Sequence, residues 1–183
     1  VTALMHLDAY RWAAGQQGEK AAKELDLTVA ALRDGVEEAR RLIDRVQPPD
    51  LKMAGLVGAV RLLVERASSQ SEIPIDFTTD LSFPRLSDES EVAVYRIVQE
   101  CLNNIGRHSQ SPRARVALRD YDDYVEIEVR DWGVGFAPEL VEGDHYGLAG
   151  IRHRVGLLDG RVDIISSPEA GTRVIVSLPL DSP

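Results

Sequence analysis

Residues 99–108, "QECLNNIGRH", place a carboxylate, two amides, a guanidinium and an imidazole directly after the apolar-rich stretch "EVAVYRIV". On a helical wheel, Glu100, Asn104 and His108 fall within about 80° of one another, and Arg107 lies just beside Glu100. The apolar residues of the opposite face are Tyr95, Val98, Leu102 and Ile105. A polar face is most simply a solvated one, but "NNIG" costs about 1 kcal/mol or more in helix stability. We therefore expect something beyond helix formation to keep these residues on the polar face.

Beyond this helix, two stretches alternate apolar and polar residues with a period of two, which is typical of strands that bury one face. Their apolar positions are Ala114, Val116, Leu118, Val125, Ile127 and Val129. Three further strands are predicted in "IPIDFTT" (73–79), "RVDIISS" (161–167) and "TRVIVSLPL" (172–180). Ser87, followed by two acidic residues, is a candidate N-cap for the helix. The patterns predict an α+β sandwich with a mixed, mostly antiparallel sheet and helices on one face.

Glycines recur in three segments of this half of the chain: "DWGVGF" (131–136), "YGLAGI" (146–151) and the pair "GT" (171–172). In the first segment Asp131 ends a strand, and the glycines after it allow the backbone to turn sharply and to approach a ligand closely. In the second, glycines stand where a helix would begin, so backbone N–H groups there could hold phosphate. Each segment alone is weakly specific.

The N-terminal region carries a different pattern, in which apolar residues recur at alternating steps of four and three. They are Leu25, Val29, Leu32, Val36, Ala39, Ile43 and Val46. This heptad predicts a helix, and "GQQG" (15–18) would join it to a preceding helix as an antiparallel hairpin. The helix could simply lie on its own domain. A dimeric helical bundle is favoured because the period is seven over three repeats.

Pro48-Pro49 would end that helix. We therefore expect a helical domain over residues 1–48 and a second domain over residues 50–183. The second domain would open with a helix, because Leu51, Leu56, Val60, Leu63 and Ala67 recur at helical spacing.

The net charge of −9 is unevenly placed. Residues 1–70 hold 10 acidic and 10 basic side chains, whereas residues 71–183 hold 20 acidic and 11 basic ones. This argues against a nucleic-acid partner, since phosphate neutralisation needs a basic face. The single cysteine permits no internal disulfide and fits a reducing cytoplasm. No apolar run could span a bilayer, so any membrane attachment is expected to lie upstream of Val1.

In this order and spacing, the polar helix and the glycine segments resemble the motif set of the Bergerat ATP-binding fold. That fold is shared by DNA gyrase, the heat-shock chaperones, the mismatch-repair ATPases and the sensor histidine kinases. "ECLNN" looks like the N box, "DWGVGF" the G1 box, "YGLAGI" the G2 box and "GT" the last glycine motif. The resemblance covers roughly residues 70–180.

Within that superfamily, "YRIVQECLNNIGRHS" and "GLAGIRHRVGLLDG" look like the short-lid sensor histidine kinases that partner LuxR/NarL-type response regulators. "EEARRLIDRVQPPDL" is similar to the second helix of their dimerisation and phosphotransfer domain. The resemblance implies an ATP-dependent protein-histidine kinase that forms a homodimer through its N-terminal helices. It also implies a location in the cytoplasm.

The resemblance implies ATP and Mg²⁺ as ligands, with a role for each motif residue. Asn104 would ligate Mg²⁺, and Glu100 would be a base or a water-orienting group. Asp131 would accept a hydrogen bond from the adenine amino group. The residues implied close to the base are Gly133, Gly135 and Thr172. Those implied to face the phosphates are Arg107, His108, Gly147, Leu148 and Gly150.

One part of the family pattern is missing. The phosphoacceptor of the family lies in a motif like H-D-x-x-x-Q, whereas His6 lies in "MHLDAY", only nine residues before "GQQG". We interpret His6 as an ordinary helix residue and expect the acceptor upstream of Val1. Smaller departures are His153, where glutamate is usual, and Asp159, where glycine is common.

Two other functions stay open at this point. One is a non-catalytic dimeric scaffold that senses ATP, and the other is a protein-serine kinase of the anti-sigma-factor type. The heptad-bearing N-terminal helices disfavour the second. Neither a P-loop nor the motifs of eukaryotic protein kinases occur in the chain.

Overall fold

The computed structural model describes residues 25–32, 35, 47–81, 86–137 and 146–180. The chain divides into two compact units, Val1–Val46 and Gln47–Pro183. In the first unit residues 25–32 are helical, as the heptad predicts. The rest of the predicted hairpin lies outside the described residues, so the dimeric bundle stays a prediction. The roles expected for residues 1–48 and 50–183 stay predictions as well.

The second unit consists of helices and five strands. Its elements are α1 (Pro49–Ser71), β1 (Ile75–Asp80), α2 (Asp88–Asn104), a π-helical turn (Ile105–Ser109), β2 (Ala114–Asp120), β3 (Tyr124–Asp131), α3 (Tyr146–Gly156), β4 (Arg161–Ser166) and β5 (Thr172–Pro179). Within the described ranges, no helix is both long and apolar enough to cross a membrane.

The five strands form one sheet in the order β1-β2-β3-β5-β4. β1 pairs with β2 in parallel, and every other neighbouring pair is antiparallel. The register places Val116 opposite Val129 and Ile127 opposite Val176, so buried side chains meet on one face. This confirms the predicted α+β class with a mixed, mostly antiparallel sheet. The hairpin from β2 to β3 turns at residues 120–123, "DYDD".

α2 is the central helix of the core. Val94, Ile97 and Val98 are fully buried and belong to one cluster with the apolar face of the sheet. Each such side chain contributes about 1.5–3 kcal/mol of burial free energy. The helix begins as predicted, because the Ser87 hydroxyl accepts a hydrogen bond from the Ser90 N–H at 3.2 Å. Its first turn is acidic, which complements the helix dipole.

α1 departs from the single regular helix that its spacing predicts. Gly55 has φ 64° and ψ 178°, which interrupts the helix after its first turn. In a straight helix Asp50 and Arg66 would lie about 24 Å apart. Their side chains instead form an ion pair of 2.6 Å, so the first turn folds back along the rest of α1. A lone glycine in an apolar periodic pattern does not by itself reveal such a reversal.

Candidate functional site

The polar end of α2 presents Glu100 and Asn104 on one face, both partly buried. The neighbouring Cys101 points into the core, where burial raises the pKa of its thiol to about 12. Tyr95, Val98, Leu102 and Ile105 are buried, as the helical wheel predicts. The two faces of α2 therefore separate the core from a polar surface.

The regular wheel holds as far as Asn104 and not beyond it. Residues Ile105–Ser109 form a π-helical turn, which is wider than an α-helical one, so Arg107 and His108 depart from the 100° spacing. Both side chains are exposed. The helix changes its hydrogen-bond pattern there, so the continuation of the polar stripe from Asn104 to Arg107 and His108 stays a prediction. π-helical turns are frequent at functional sites.

Asp131, the last residue of β3, is only 4% exposed. Its Oδ1 accepts a hydrogen bond from the backbone N–H of Gly133 at 2.8 Å. Burial raises the pKa of this carboxyl, and hydrogen bonds from the backbone N–H groups of Gly133 and Thr172 offset part of that rise. Among the described residues no arginine or lysine pairs with Asp131, and a buried, unneutralised carboxylate is costly to the fold, which marks it as a candidate functional group.

The loop after Asp131 is held between two other segments. A Cβ at Gly133 would overlap the carbonyl oxygen of Ser109, which also accepts a hydrogen bond from the Val134 N–H at 2.8 Å. Gly135 has φ 58°, and a Cβ there would overlap the carbonyl oxygen of Ser167. Both glycines are thus required by close backbone packing, whether or not a ligand is bound.

Thr172 and the turn before β5 complete this end of the site. The Ser166 hydroxyl lies 3.1 Å from that of Thr172, donates to the Gly171 carbonyl at 3.0 Å and accepts from the Phe136 N–H at 3.0 Å. A Cβ at Gly171 would overlap the carbonyl oxygen of Asp131. The structure therefore brings Asp131, Gly133, Gly135 and Thr172 together.

A second group forms where α3 meets α2. A Cβ at Gly147 would overlap Oε1 of Glu100 and would lie 3.3 Å from Nδ2 of Asn104. The first turn of α3 is thus placed against the polar end of α2, and its N-terminal N–H groups have no partner within the helix. Gly150 is buried and is the fifth residue of α3, so its N–H lies inside the helical pattern and does not face a ligand directly.

Three serines were missed by sequence reasoning. Ser109 and Ser166 support the glycine loop, and the Ser111 hydroxyl accepts a hydrogen bond from the Trp132 N–H at 2.8 Å. Ser109 and Ser111 are buried on either side of Gln110, which has φ 49°. The only sequence signal is "SQSP", a turn-like cluster whose burial depends on contacts with distant segments.

Residues 89–182 match the model of the family described as histidine kinase-, DNA gyrase B- and HSP90-like ATPases. Because the match covers just over half of the chain, the chain belongs to this ATP-binding family. The fold and the glycine-framed site thus define the class of the protein, and the expected Bergerat-type resemblance is confirmed.

Among curated proteins, the chain is similar to sensor histidine kinases. It is 30% identical to the sensor histidine kinase LiaS of Bacillus subtilis over 163 residues, 88% of this chain and 44% of that protein. It is 32% identical to the oxygen sensor histidine kinase NreB of Staphylococcus carnosus over 146 residues, 79% of this chain and 42% of that protein. The chain thus spans less than half the length of these relatives, and it is similar to their kinase core.

Solved structures share the fold. The Acinetobacter baumannii histidine kinase AdeS matches with a TM-score of 0.60 and 17% identity, over 99% of this chain and 96% of that one. The histidine kinase domain of the Erythrobacter litoralis EL346 blue-light activated histidine kinase matches with a TM-score of 0.58 and 17% identity, over 96% and 94% of the two chains.

Proposed function

We propose that this chain is the catalytic region of a sensor histidine kinase, which binds Mg-ATP and transfers its γ-phosphoryl group to a histidine. The observation that carries the proposal is the contact of Gly147 with Glu100 and Asn104. It joins a helix N-terminus, a carboxylate and an amide at one place, which is the chemistry that a metal-bound polyphosphate requires. The similarity to sensor histidine kinases supports it.

At the end of the site that would hold adenine, Asp131 would accept a hydrogen bond from the adenine amino group. Its carboxylate is already oriented by the Gly133 N–H, so little ordering remains to be done on binding. Gly133, Gly135 and Thr172 would lie close to the base. A side chain at either glycine would displace the loop that carries the aspartate.

At the phosphate end, Asn104 would ligate Mg²⁺. In the described part of the chain no three His, Cys, Asp or Glu side chains are grouped to hold a metal. An oxygen ligand from Asn104 fits Mg²⁺, which in nucleotide sites takes one or two protein oxygens and completes its shell with phosphate and water. The metal would neutralise charge on the phosphates and so favour their approach to this acidic domain.

Local positive groups must also outweigh the domain's negative field. We propose that Arg107, His108 and the backbone N–H groups of Gly147 and Leu148 face the phosphates. Gly150 would let α3 pack closely behind them.

In the transfer, a nitrogen of the acceptor imidazole bonds to the γ-phosphorus while the bond from that phosphorus to the bridging oxygen breaks, and ADP leaves. Glu100 would take the proton from the other imidazole nitrogen or orient a water that does so. We propose that the acceptor histidine lies upstream of Val1 and that the phosphoryl group passes on to an aspartate of a LuxR/NarL-type response regulator. Dimerisation through the N-terminal helices and a cytoplasmic location belong to the same proposal.

The test mixes this chain with radiolabelled Mg-ATP and a longer form of the protein that contains the upstream segment and carries Asp131→Asn. Label on the longer form that is stable to alkali and labile to acid supports the proposal. Tight ATP binding without label would favour a scaffold, and acid-stable label on serine would favour a serine kinase. His6→Gln in the acceptor chain is the control, because loss of label there would place the acceptor at His6.

A further inference from the structure

The face of the sheet that points away from the helices carries charged side chains in rows across the strands. One row runs from Arg115 in β2 through Arg130 in β3 to Arg173 in β5, each directly opposite the next. Arg113 and Trp132 lie at the same end of these strands. We call Arg113, Arg115, Arg130, Arg173 and Trp132 the arginine corner.

The row opposes like charges. Neighbouring strands are about 4.8 Å apart, so three guanidinium groups occupy a width of about 10 Å. Like charges directly opposite each other destabilise a sheet. Asp76 of β1 flanks the row beside Arg115, yet in the described part of the chain it makes no ion pair with that arginine. Arg173 is paired with Glu128, so the positive charge that the folded domain retains at this corner is that of Arg113, Arg115 and Arg130.

Trp132 holds part of this cluster in place. The guanidinium carbon of Arg113 lies 4.3 Å from the centroid of the Trp132 ring, and that of Arg130 lies 4.6 Å from it. Such stacking orients the guanidinium planes and leaves their N–H edges able to donate. Within the described ranges, neither of the two side chains forms a hydrogen bond or an ion pair.

Farther along the same face, the next two rows hold Glu128 and the pair of Arg119 and Glu126. Arg119 donates to Glu126 and Glu128, both at 3.0 Å, and Arg173 donates to Glu128 at 2.9 Å. The charges of Arg119, Glu126 and Glu128 are thus internally paired, and so is that of Arg173 within the arginine corner. Within the described ranges Arg115 donates only to the Thr78 hydroxyl, at 3.5 Å, and Arg113 and Arg130 only stack on Trp132, so the donors of these three arginines could serve a partner.

We propose that the arginine corner is a docking surface for an acidic segment of a partner protein. All 11 basic residues of 71–183 are arginines, whose planar forks match carboxylates in pairs. The cluster is about the width of two or three carboxylates. A nucleic acid or an anionic membrane would extend well beyond it and would meet the 20 acidic residues of the same region. The surface lies next to Asp131 in the chain, yet its use does not depend on the proposed kinase activity.

The test uses the whole chain with Trp12→Phe, which leaves Trp132 as the reporter indole. The probe is a short blocked peptide of alternating glutamate and glycine, and its matched control replaces glutamate with glutamine. We expect saturable changes in Trp132 fluorescence and in the amide resonances of β2 and β3 with the glutamate peptide alone. Arg115→Gln with Arg130→Gln should weaken binding at least tenfold.

Arg161→Gln removes the same charge elsewhere on this sheet face, in β4, and should leave affinity unchanged. Equal weakening by Arg161→Gln, equal binding of the glutamine peptide, or no saturable binding would overturn the proposal. Binding to phosphatidylserine vesicles that the peptide does not compete would also overturn it, in favour of a membrane. If the double variant does not fold by circular dichroism, Arg113→Gln in the loop before β2 takes its place.

Discussion

Gly147, at the start of α3, lies so close to Glu100 in α2 that a single added methyl group would overlap the carboxylate oxygen Oε1. The two residues are far apart in the chain, and each belongs to a different sequence motif. Their contact brings the two motifs together in one site.

Gly147→Ala should weaken ATP binding by about tenfold, which corresponds to about 1.4 kcal/mol. The new methyl group would displace the tip of Glu100 and shift the first turn of α3. Calorimetric titration with Mg-ATP measures the effect. Gly156→Ala in the same helix is the control, because its methyl group would meet nothing within 4 Å. Equal affinities of the two variants would contradict the assignment.

Glu100→Gln separates binding from chemistry. The amide keeps the size of the side chain but cannot take a proton, so ATP affinity should change less than about threefold while phosphoryl transfer falls at least about 100-fold. Single-turnover transfer to the upstream-containing acceptor measures the rate. Near-normal transfer would show that Glu100 is a solvated surface residue without a role in phosphoryl transfer.

Asn104→Ala should reduce the gain in ATP affinity that Mg²⁺ provides, because it removes the proposed metal ligand. The measurement is the ratio of ATP dissociation constants with Mg²⁺ and with EDTA. Asn103→Ala is the matched control, since Asn103 is the preceding residue and is exposed. An unchanged ratio in Asn104→Ala would show that Asn104 does not ligate the metal.

Asp131→Asn should weaken ATP binding at least about tenfold. Compared with the parent chain, the variant should also gain more folding stability at neutral pH than in acid. Because the pKa of Asp131 is raised in the folded state, the fold binds this proton more tightly than the unfolded chain does. The part of the folding stability that comes from the tighter binding of this proton is therefore lost as pH rises from about 3.9 to the folded-state pKa. It stays lost above that pH. The asparagine variant lacks this loss.

Urea unfolding of both proteins across the acid range measures the difference. Asp122→Asn in the β2–β3 turn serves as a control, because Asp122 is exposed. A pH-independent difference between Asp131→Asn and the parent chain would show that Asp131 titrates alike in both states.

Gly55→Ala should destabilise the domain by about 1–3 kcal/mol, because φ 64° with ψ 178° is a conformation that only glycine adopts easily. Neither Gly55 nor Gly156 has an atom within 4 Å of the added Cβ, so the pair separates backbone strain from steric overlap. Gly156→Ala should be neutral or slightly stabilising. A similar unfolding midpoint for both variants would argue that the reversal in α1 is not required.

Local periodicity determined much of this fold in advance. The apolar face of α2, the Ser87 cap and the alternation of β2 and β3 were predictable because each depends on residues within a few positions. The π-helical turn, the reversal at Gly55 and the serine contacts were not, because each depends on what packs against the segment. The roles given to Glu100, Asn104 and Asp131 stay predictions.

By itself, the sequence thus determined which faces are buried, which residues end strands and helices, and which family the motifs resemble. Only the tertiary structure decided that Gly147 lies against Glu100, that Ser109 and Ser166 frame the loop after Asp131, and that arginines of three strands line up in one row. The physical reason is that contacts between distant segments follow from sheet register and close packing, which short-range patterns do not encode.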